Sequence, residues 1–163
     1  MRAEDELAVR NLLARLAQYA DGPDVDAYVA LFTADAVWDM PGALRRGRDE
    51  IRAGSEERRA AGQIGPGSHT RHVVSTVAVA VGGGGGVGVD GGGVGVGVDG
   101  GVGVDGGVGV DGGDDDRAVA DSAWQFYVDT DTAPRLQLIG TYHDELVRVD
   151  GEWKLARRRI TIG

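Results

Sequence analysis

The sequence predicts an α+β fold: a curved antiparallel sheet shaped as a cone, with N-terminal helices closing over a cavity. Three observations carry that expectation. Apolar residues recur at helical spacing near the start of the chain. Residues 72–81, 117–128, 136–149 and 152–162 read as extended runs rich in Val, Ala and aromatics. The last two of these runs are joined by Asp150-Gly151, a composition suited to a two-residue hairpin turn. Helices first and hairpin-linked strands afterwards place the helices on one face of the sheet.

Over residues 3–20, Leu7, Leu12, Leu13, Leu16, Ala17 and Ala20 predict an amphipathic helix, and Glu4, Asp5 and Glu6 put acids in its first turn, where they suit the helix dipole. Asp21-Gly22-Pro23-Asp24 ends it. Asp24 is a favoured N-cap for a short second helix over residues 25–32 that buries Tyr28, Leu31 and Phe32. Thr33-Ala34-Asp35 reads as a turn, residues 36–40 as a short strand stopped by Pro41-Gly42, residues 48–61 as a charged, alanine-rich helix, and residues 62–67 as loop. Ser68-His69-Thr70-Arg71-His72 is a polar mouth that leads into an apolar, β-branched run to Val81. A histidine opening a core strand sits where a pocket can be lined.

Residues 82–116 are low-complexity, with four near-copies of Val-Gly-Val-Asp-Gly-Gly at a period of mostly six. Gly100-Gly101-Val102-Gly103-Val104-Asp105 matches the start of a calcium-binding β-roll repeat. However, Gly106 and Gly107 stand where a large apolar residue is needed, and the period is not nine. A phosphate-binding loop needs a Lys-Ser/Thr pair that the tract lacks. An interdomain linker is disfavoured because the parts on either side are small and read as one sheet. The remaining reading is repeat expansion inside a hairpin loop of one domain spanning residues 1–163, because closure entropy grows only logarithmically with loop length.

The formal charge of −9 includes seven aspartates in residues 82–116, where there is no Lys or Arg, so the rest of the 163-residue chain carries only −2. A nearly neutral folded part, with Arg157-Arg158-Arg159 as a small basic cluster, predicts no nucleic-acid partner. Zero cysteines exclude disulfides and thiolate metal sites and suit a reducing compartment. No apolar run approaches the roughly 20 residues of a membrane span, and the acidic start does not read as a signal peptide. The expectation is a cytoplasmic protein without a membrane partner.

The segments Leu16-Ala17-Gln18-Tyr19-Ala20-Asp21-Gly22-Pro23-Asp24, Leu31-Phe32-Thr33-Ala34-Asp35-Ala36-Val37-Trp38-Asp39, Gly47-Arg48-Asp49-Glu50-Ile51, His69-Thr70-Arg71-His72, Gly140-Thr141-Tyr142-His143-Asp144 and Gly151-Glu152-Trp153-Lys154-Leu155 carry a resemblance. Together they resemble the SnoaL-like branch of the nuclear transport factor 2-like (NTF2-like, cystatin-like) superfamily over nearly the whole chain except the tract. The resemblance implies the cone fold. It leaves the reaction open, because that superfamily includes dehydratases, polyketide cyclases, steroid isomerases, small subunits of aromatic-ring dioxygenases and binding proteins.

Carried over, the dehydratase-like pattern of a tyrosine, an aspartate and a histidine falls on Tyr19, Asp24 and His72 as catalytic residues. An imidazole with a pKa near 6.5 can take a proton from carbon next to a carbonyl, an aspartate can fix its tautomer, and a tyrosine can donate to the developing enolate. That chemistry requires no cofactor. Trp38, Trp124 and Phe126 are expected to line the pocket and Trp153 to sit in core or wall. His69 is the rival base but is expected to lie in a loop without a role, and Arg158 is expected to pair with Asp144 on the sheet surface in preference to meeting an anionic substrate at the cavity. His143 alternates away from Tyr142 and Asp144, so only one of these sets can face the cavity. A metal site built on His69 and His72 is disfavoured, because i, i+3 residues on an extended strand face opposite ways. The expected function is a lyase or isomerase acting on a hydrophobic, polyketide- or steroid-like carbonyl compound. The alternative is a ligand-binding or assembly subunit. The outer sheet face is expected to support a homodimer or homo-oligomer.

Overall fold

The computed structural model describes residues 3–82 and 114–163. The expectations for the glycine-rich tract at residues 83–113 therefore lie outside the described residues. The elements run α1 (Ala3–Asp21), α2 (Val25–Ala30), β1 (Phe32–Met40), β2 (Ala43–Arg46), α3 (Gly47–Ala60), β3 (Arg71–Val81), a 3-10 turn (Asp114–Asp116), β4 (Arg117–Val128), β5 (Arg135–Val149) and β6 (Glu152–Ile160). The strands form one sheet in the order β2-β1-β6-β5-β4-β3. All neighbours are antiparallel except β1 and β6, which are parallel. This is the expected α+β architecture, with one parallel pair where two strands distant in sequence meet.

Four local expectations are corrected. The second helix stops at Ala30, and Phe32 opens a strand. Thr33-Ala34-Asp35 belongs to β1, at the irregularity between Phe32 and Val37 where the pairing with β6 shifts register. Pro41-Gly42 turns the chain into an additional strand, β2, with Gly42 at φ 82°. Its four residues alternate between half-buried and exposed, the mark of a short edge strand. The last strand ends at Ile160 rather than 162.

The core forms where α1 lies on the concave face. Val9, Leu12, Leu13 and Leu16 are buried against Phe32, Leu146 and Leu155, each such side chain contributing roughly 1.5–3 kcal/mol. Leu7 is 59% exposed, against expectation; at 100° per residue it falls opposite Val9, which takes the inward position. Asp5 is tied to Arg148 and accepts from Trp153 Nε1 at 3.4 Å, so an acid expected to serve the helix dipole also anchors α1 to the sheet.

Register irregularities curl the sheet. In β3 the break falls between Ser75 and Ala78, with Thr76 at φ 50° and its Oγ1 accepting from the Ala123 N–H at 3.2 Å. Arg10 of α1 donates to the Val77 carbonyl there at 2.9 Å. At Gly140 a Cβ would collide with the Thr161 carbonyl, and that same oxygen accepts from Trp124 Nε1 at 3.2 Å. The missing side chain lets the C-terminal strand close in and fixes the Trp124 ring. No helix among the described residues is long and apolar enough to cross a membrane.

Candidate active site

Alternation along β3 turns His72 inward, opposite Phe126 on β4, with ring centroids 4.7 Å apart. The end of α1 delivers the partner. Asp21 Oδ1 lies 2.7 Å from His72 Nδ1, and Asp21 Oδ2 accepts from the His72 backbone N–H at 2.9 Å. An ionised carboxylate can only accept, so Nδ1 carries a proton, and in the neutral ring Nε2 presents its lone pair. The Asp21 side chain is 8% exposed and that of His72 19%.

Arg59 of α3 holds Asp21 in place. Its guanidinium donates to the carbonyls of Tyr19 at 2.9 Å, Ala20 at 3.1 Å and Gly22 at 2.5 Å, which satisfies the open C-terminal end of α1 on both sides of Asp21. Gly22 is suited to this turn, since a Cβ would stand 3.0 Å from the Gln18 carbonyl.

The histidine borders a cavity of about 580 Å³ between α1, the residue 62–70 loop and the concave sheet. Trp38, Trp124 and Phe126 line it, as do Leu16, Ala20 and Leu138. Tyr19 is not among the lining residues. It is half-buried on the core side of α1, one position off the Leu16, Ala17 and Ala20 stripe that faces the cavity. Asp24 is also displaced from its expected place, because its carboxylate caps α2 by accepting from the Ala27 N–H at 2.9 Å. The three residues Tyr19, Asp24 and His72 therefore do not converge, and the carboxylate on the imidazole belongs to Asp21.

Two other tyrosines face the cavity, Tyr28 of α2 and Tyr142 of β5. Burial pushes the Tyr142 hydroxyl up to about 12, against a partial pull downward from Arg158, and raises Tyr28 for the same reasons. Both are hydrogen-bond donors at neutral pH. Tyr142 stacks on Trp124 with centroids 5.6 Å apart, and the Arg158 guanidinium lies over the Tyr142 ring, 3.9 Å from its centre.

Arg158 and Asp144 pair as expected but inside the cone and not on the sheet surface. Their bidentate contacts measure 2.8 and 2.7 Å, with side chains 6% and 0% exposed. The two stand directly opposite on β6 and β5, two residues along from inward-facing Tyr142. Burial opposes the guanidinium charge, and Asp144 more than offsets it, so Arg158 is held above the ordinary arginine value. His143, on the opposite face, pairs with Asp121 at 2.7 Å, and His69 lies in the loop, exposed, 3.3 Å from Asp131. Among the described residues no group of three or more His, Cys, Asp or Glu could hold a metal ion.

The SnoaL-like domain model matches residues 1–159. The chain belongs to the SnoaL-like family. No curated protein matches the sequence. The structure resembles a protein with a cystatin-like fold from Nostoc punctiforme at 19% identity and a TM-score of 0.71, covering 100% of this chain and 94% of that one. It also resembles ActVI-ORFA from Streptomyces coelicolor at 22% identity, TM-score 0.66 and 96% coverage of each. A protein from Novosphingobium aromaticivorans provisionally described as a scytalone dehydratase matches at 19% identity and TM-score 0.62, over 98% of this chain and 84% of its own. These likenesses establish the cystatin-like, NTF2-like fold of this SnoaL-like protein.

Sequence reasoning missed Asp21, Tyr28 and Arg58, the last of which also lines the cavity. Asp21 reads as part of a helix stop and Tyr28 as a buried helix residue. Tyr142 and Asp144 read as one set, alternating away from His143, with the choice of which set faces the cavity left open; the structure turns Tyr142 to the cavity.

Proposed function

We propose that this SnoaL-like protein is a lyase, isomerase or cyclase that acts on a hydrophobic carbonyl compound by general acid/base catalysis. His72 is the base, Asp21 orients it, and Tyr28 and Tyr142 are the donors. The single observation that carries the reading is the Asp21–His72 pair, with the imidazole on the wall of an aromatic-lined cavity. Nε2 takes a proton from carbon next to the carbonyl, and the C–H electron pair moves to make an enolate, whose oxygen accepts a tyrosine hydrogen bond. The imidazolium then returns the proton, to a second carbon in an isomerisation or to a β-hydroxyl that leaves as water in an elimination. These steps transfer protons and, in the elimination, break one C–O bond with loss of water, without net oxidation or reduction, so they call for no redox cofactor. The likeness to a neighbour described as a scytalone dehydratase supports the elimination variant.

Changing His72 to Gln tests the reading. Turnover of a responsive compound from a panel of hydroxy-ketones, enones and polyketide-like substrates should fall roughly 10²- to 10⁴-fold, with binding held within a few-fold. Equal activity in both proteins would remove His72 from the mechanism.

A second reading, an assembly subunit or self-associating binding module, is favoured by the outer sheet face, where Val73, Val119 and Ile139 are 39%, 38% and 46% exposed. Sedimentation of a Val73→Lys, Ile139→Lys double variant tests it. A monomeric wild type would sink self-association, and unchanged assembly in the variant would sink the role of this face.

A further inference from the structure

The cavity wall contains two arginines, and a carboxylate matches only one of them. Arg158 is neutralised by Asp144. Arg58, from α3, is half-buried with its guanidinium 5.0 Å from the centre of the Trp38 ring, and among the described residues that guanidinium makes no hydrogen bond or ion pair. The acids around it are engaged elsewhere. Glu57 pairs with Arg45 at 2.8 Å, Asp21 with His72 at 2.7 Å, and Asp129, which also lines the cavity, with Arg135 at 2.6 Å. Among the described residues the cavity thus presents one guanidinium with no carboxylate in contact with it.

An arginine cannot discharge itself by losing its proton at ordinary pH. Burial disfavours the Arg58 charge, and Arg45 and Arg59 add repulsion, partly offset at neutral pH by Glu57. A part-buried guanidinium without an anion carries part of its desolvation cost uncompensated, and a ligand that brings the anion recovers it. The planar fork of N–H donors matches the two oxygens of a carboxylate. A single unmatched charge suits a monoanion better than a dianionic phosphate. The neighbouring walls, Trp38, Trp124 and Phe126, suit flat rings.

We infer that Arg58 anchors an anionic head group in this cavity, and that the ligand class is an aromatic or polycyclic carboxylic acid whose rings lie against the aromatic wall. The inference rests on the cavity being the substrate site and names the part of the substrate that the Asp21–His72 pair does not touch. The carboxylate holds the molecule at Arg58, which leaves the reactive carbon free to face Nε2.

The test is calorimetric titration of the whole chain with 2-naphthoate, methyl 2-naphthoate and 2-naphthyl phosphate. Wild type should bind the acid roughly 10- to 100-fold tighter than its ester, the range for a charge-assisted contact. Arg58→Gln should reduce that preference to within about threefold, and Arg58→Lys should keep only part of it, because the positive charge remains but the planar fork that matches two carboxylate oxygens is lost. Equal binding of acid and ester by wild type, or an intact preference in Arg58→Gln, overturns the anchor, and stronger binding of the phosphate overturns the carboxylate assignment. If Arg58→Gln does not fold, the wild-type acid and ester comparison still decides. Failure of wild type to bind any of the three compounds sinks the cavity reading and the anchor together, whereas equal binding of acid and ester sinks the anchor alone.

Discussion

Asp21 holds His72 at two points, one carboxylate oxygen on the ring Nδ1 at 2.7 Å and the other on the backbone N–H at 2.9 Å. The two residues are 51 positions apart, at the end of α1 and near the start of β3. One contact sets the tautomer; the other sets where the strand begins. A single carboxylate therefore couples the helix beside the cavity to the strand that carries the proposed base, and the ring cannot rotate without losing a charge-assisted hydrogen bond.

The first expectation separates two aspartates three residues apart. Asp21→Asn should lower turnover roughly 10²- to 10⁴-fold, because an amide no longer stabilises the imidazolium and can offer Nδ1 a donor in place of an acceptor. Asp24→Asn should leave turnover within about twofold, since Asn caps a helix nearly as well, and Asp24→Ala should cost about 1 kcal/mol of stability without a selective loss of rate. Steady-state kinetics with urea unfolding of the same variants checks both. The reverse order of rates would restore Asp24 to the catalytic role and leave Asp21 as a structural contact.

Arg59 is a positioning residue whose effect should appear in rate as well as stability. Arg59→Met removes donors from the carbonyls of Tyr19, Ala20 and Gly22 and should destabilise the fold by about 2–4 kcal/mol. A lysine cannot span three carbonyls, so Arg59→Lys should recover only part of that. Because Asp21 lies between those carbonyls, the proposed mechanism predicts that the residual folded protein has a lower kcat with KM little changed. Full rate in a destabilised Arg59→Met protein would confine Arg59 to a structural role.

The fold was legible where local chemistry and tertiary demand agree. Val9, Leu12, Leu13 and Leu16 follow the helical period, and Asp150-Gly151 adopts φ 52° and 82°, as a two-residue hairpin turn of that composition should. β2 was not legible because Ala43-Leu44-Arg45-Arg46 is short and charged, and becomes a strand only by pairing with residues 37–40 of β1. His72 could be placed on the cavity because alternation along its strand is local. Asp21 could not be placed on the imidazole, because its approach depends on Arg59 and on the packing of α1 against β3. The pairing of Asp144 with Arg158 was foreseeable from a hairpin register, but its burial depends on which face of the curled sheet becomes concave.

Alkaline pH should weaken the fold through the cavity tyrosines. Tyr142 is raised to about 12 by burial, and Tyr28 is raised too, whereas a tyrosine in the unfolded chain ionises near 10. Above pH 10 the unfolded chain binds fewer protons than the native one, so stability is fully present below pH 10 and declines as the pH climbs to about 12. Tyr142→Phe should flatten part of that decline. Urea midpoints measured at pH 9, 10 and 11 give the answer, and parallel slopes in wild type and variant would mean that Tyr142 ionises as freely in the fold as outside it.

The last expectation concerns the join between β3 and β4. These strands are antiparallel neighbours, Val81 is paired with Ala118, and the Gly82 N–H donates to the Arg117 carbonyl at 2.9 Å. Residues 83–113 thus leave and return near a hydrogen-bonded pair of strand ends, a separation that a short turn can close. Asp116 lies 3.2 Å from Arg148, so the cut should fall before Asp114 to keep that contact. Replacing residues 83–113 with a short Asn-Gly turn should preserve the fold. Each halving of a flexible loop lowers the closure cost by about 0.6 kcal/mol, so the shortened chain should be as stable as wild type or up to about 2 kcal/mol more stable. Thermal unfolding of the two proteins, with and without calcium, checks this. A shortened chain that fails to fold, or a calcium-induced rise in the midpoint of the full chain alone, would give the tract a structural role of its own and end the reading of it as an expanded hairpin loop.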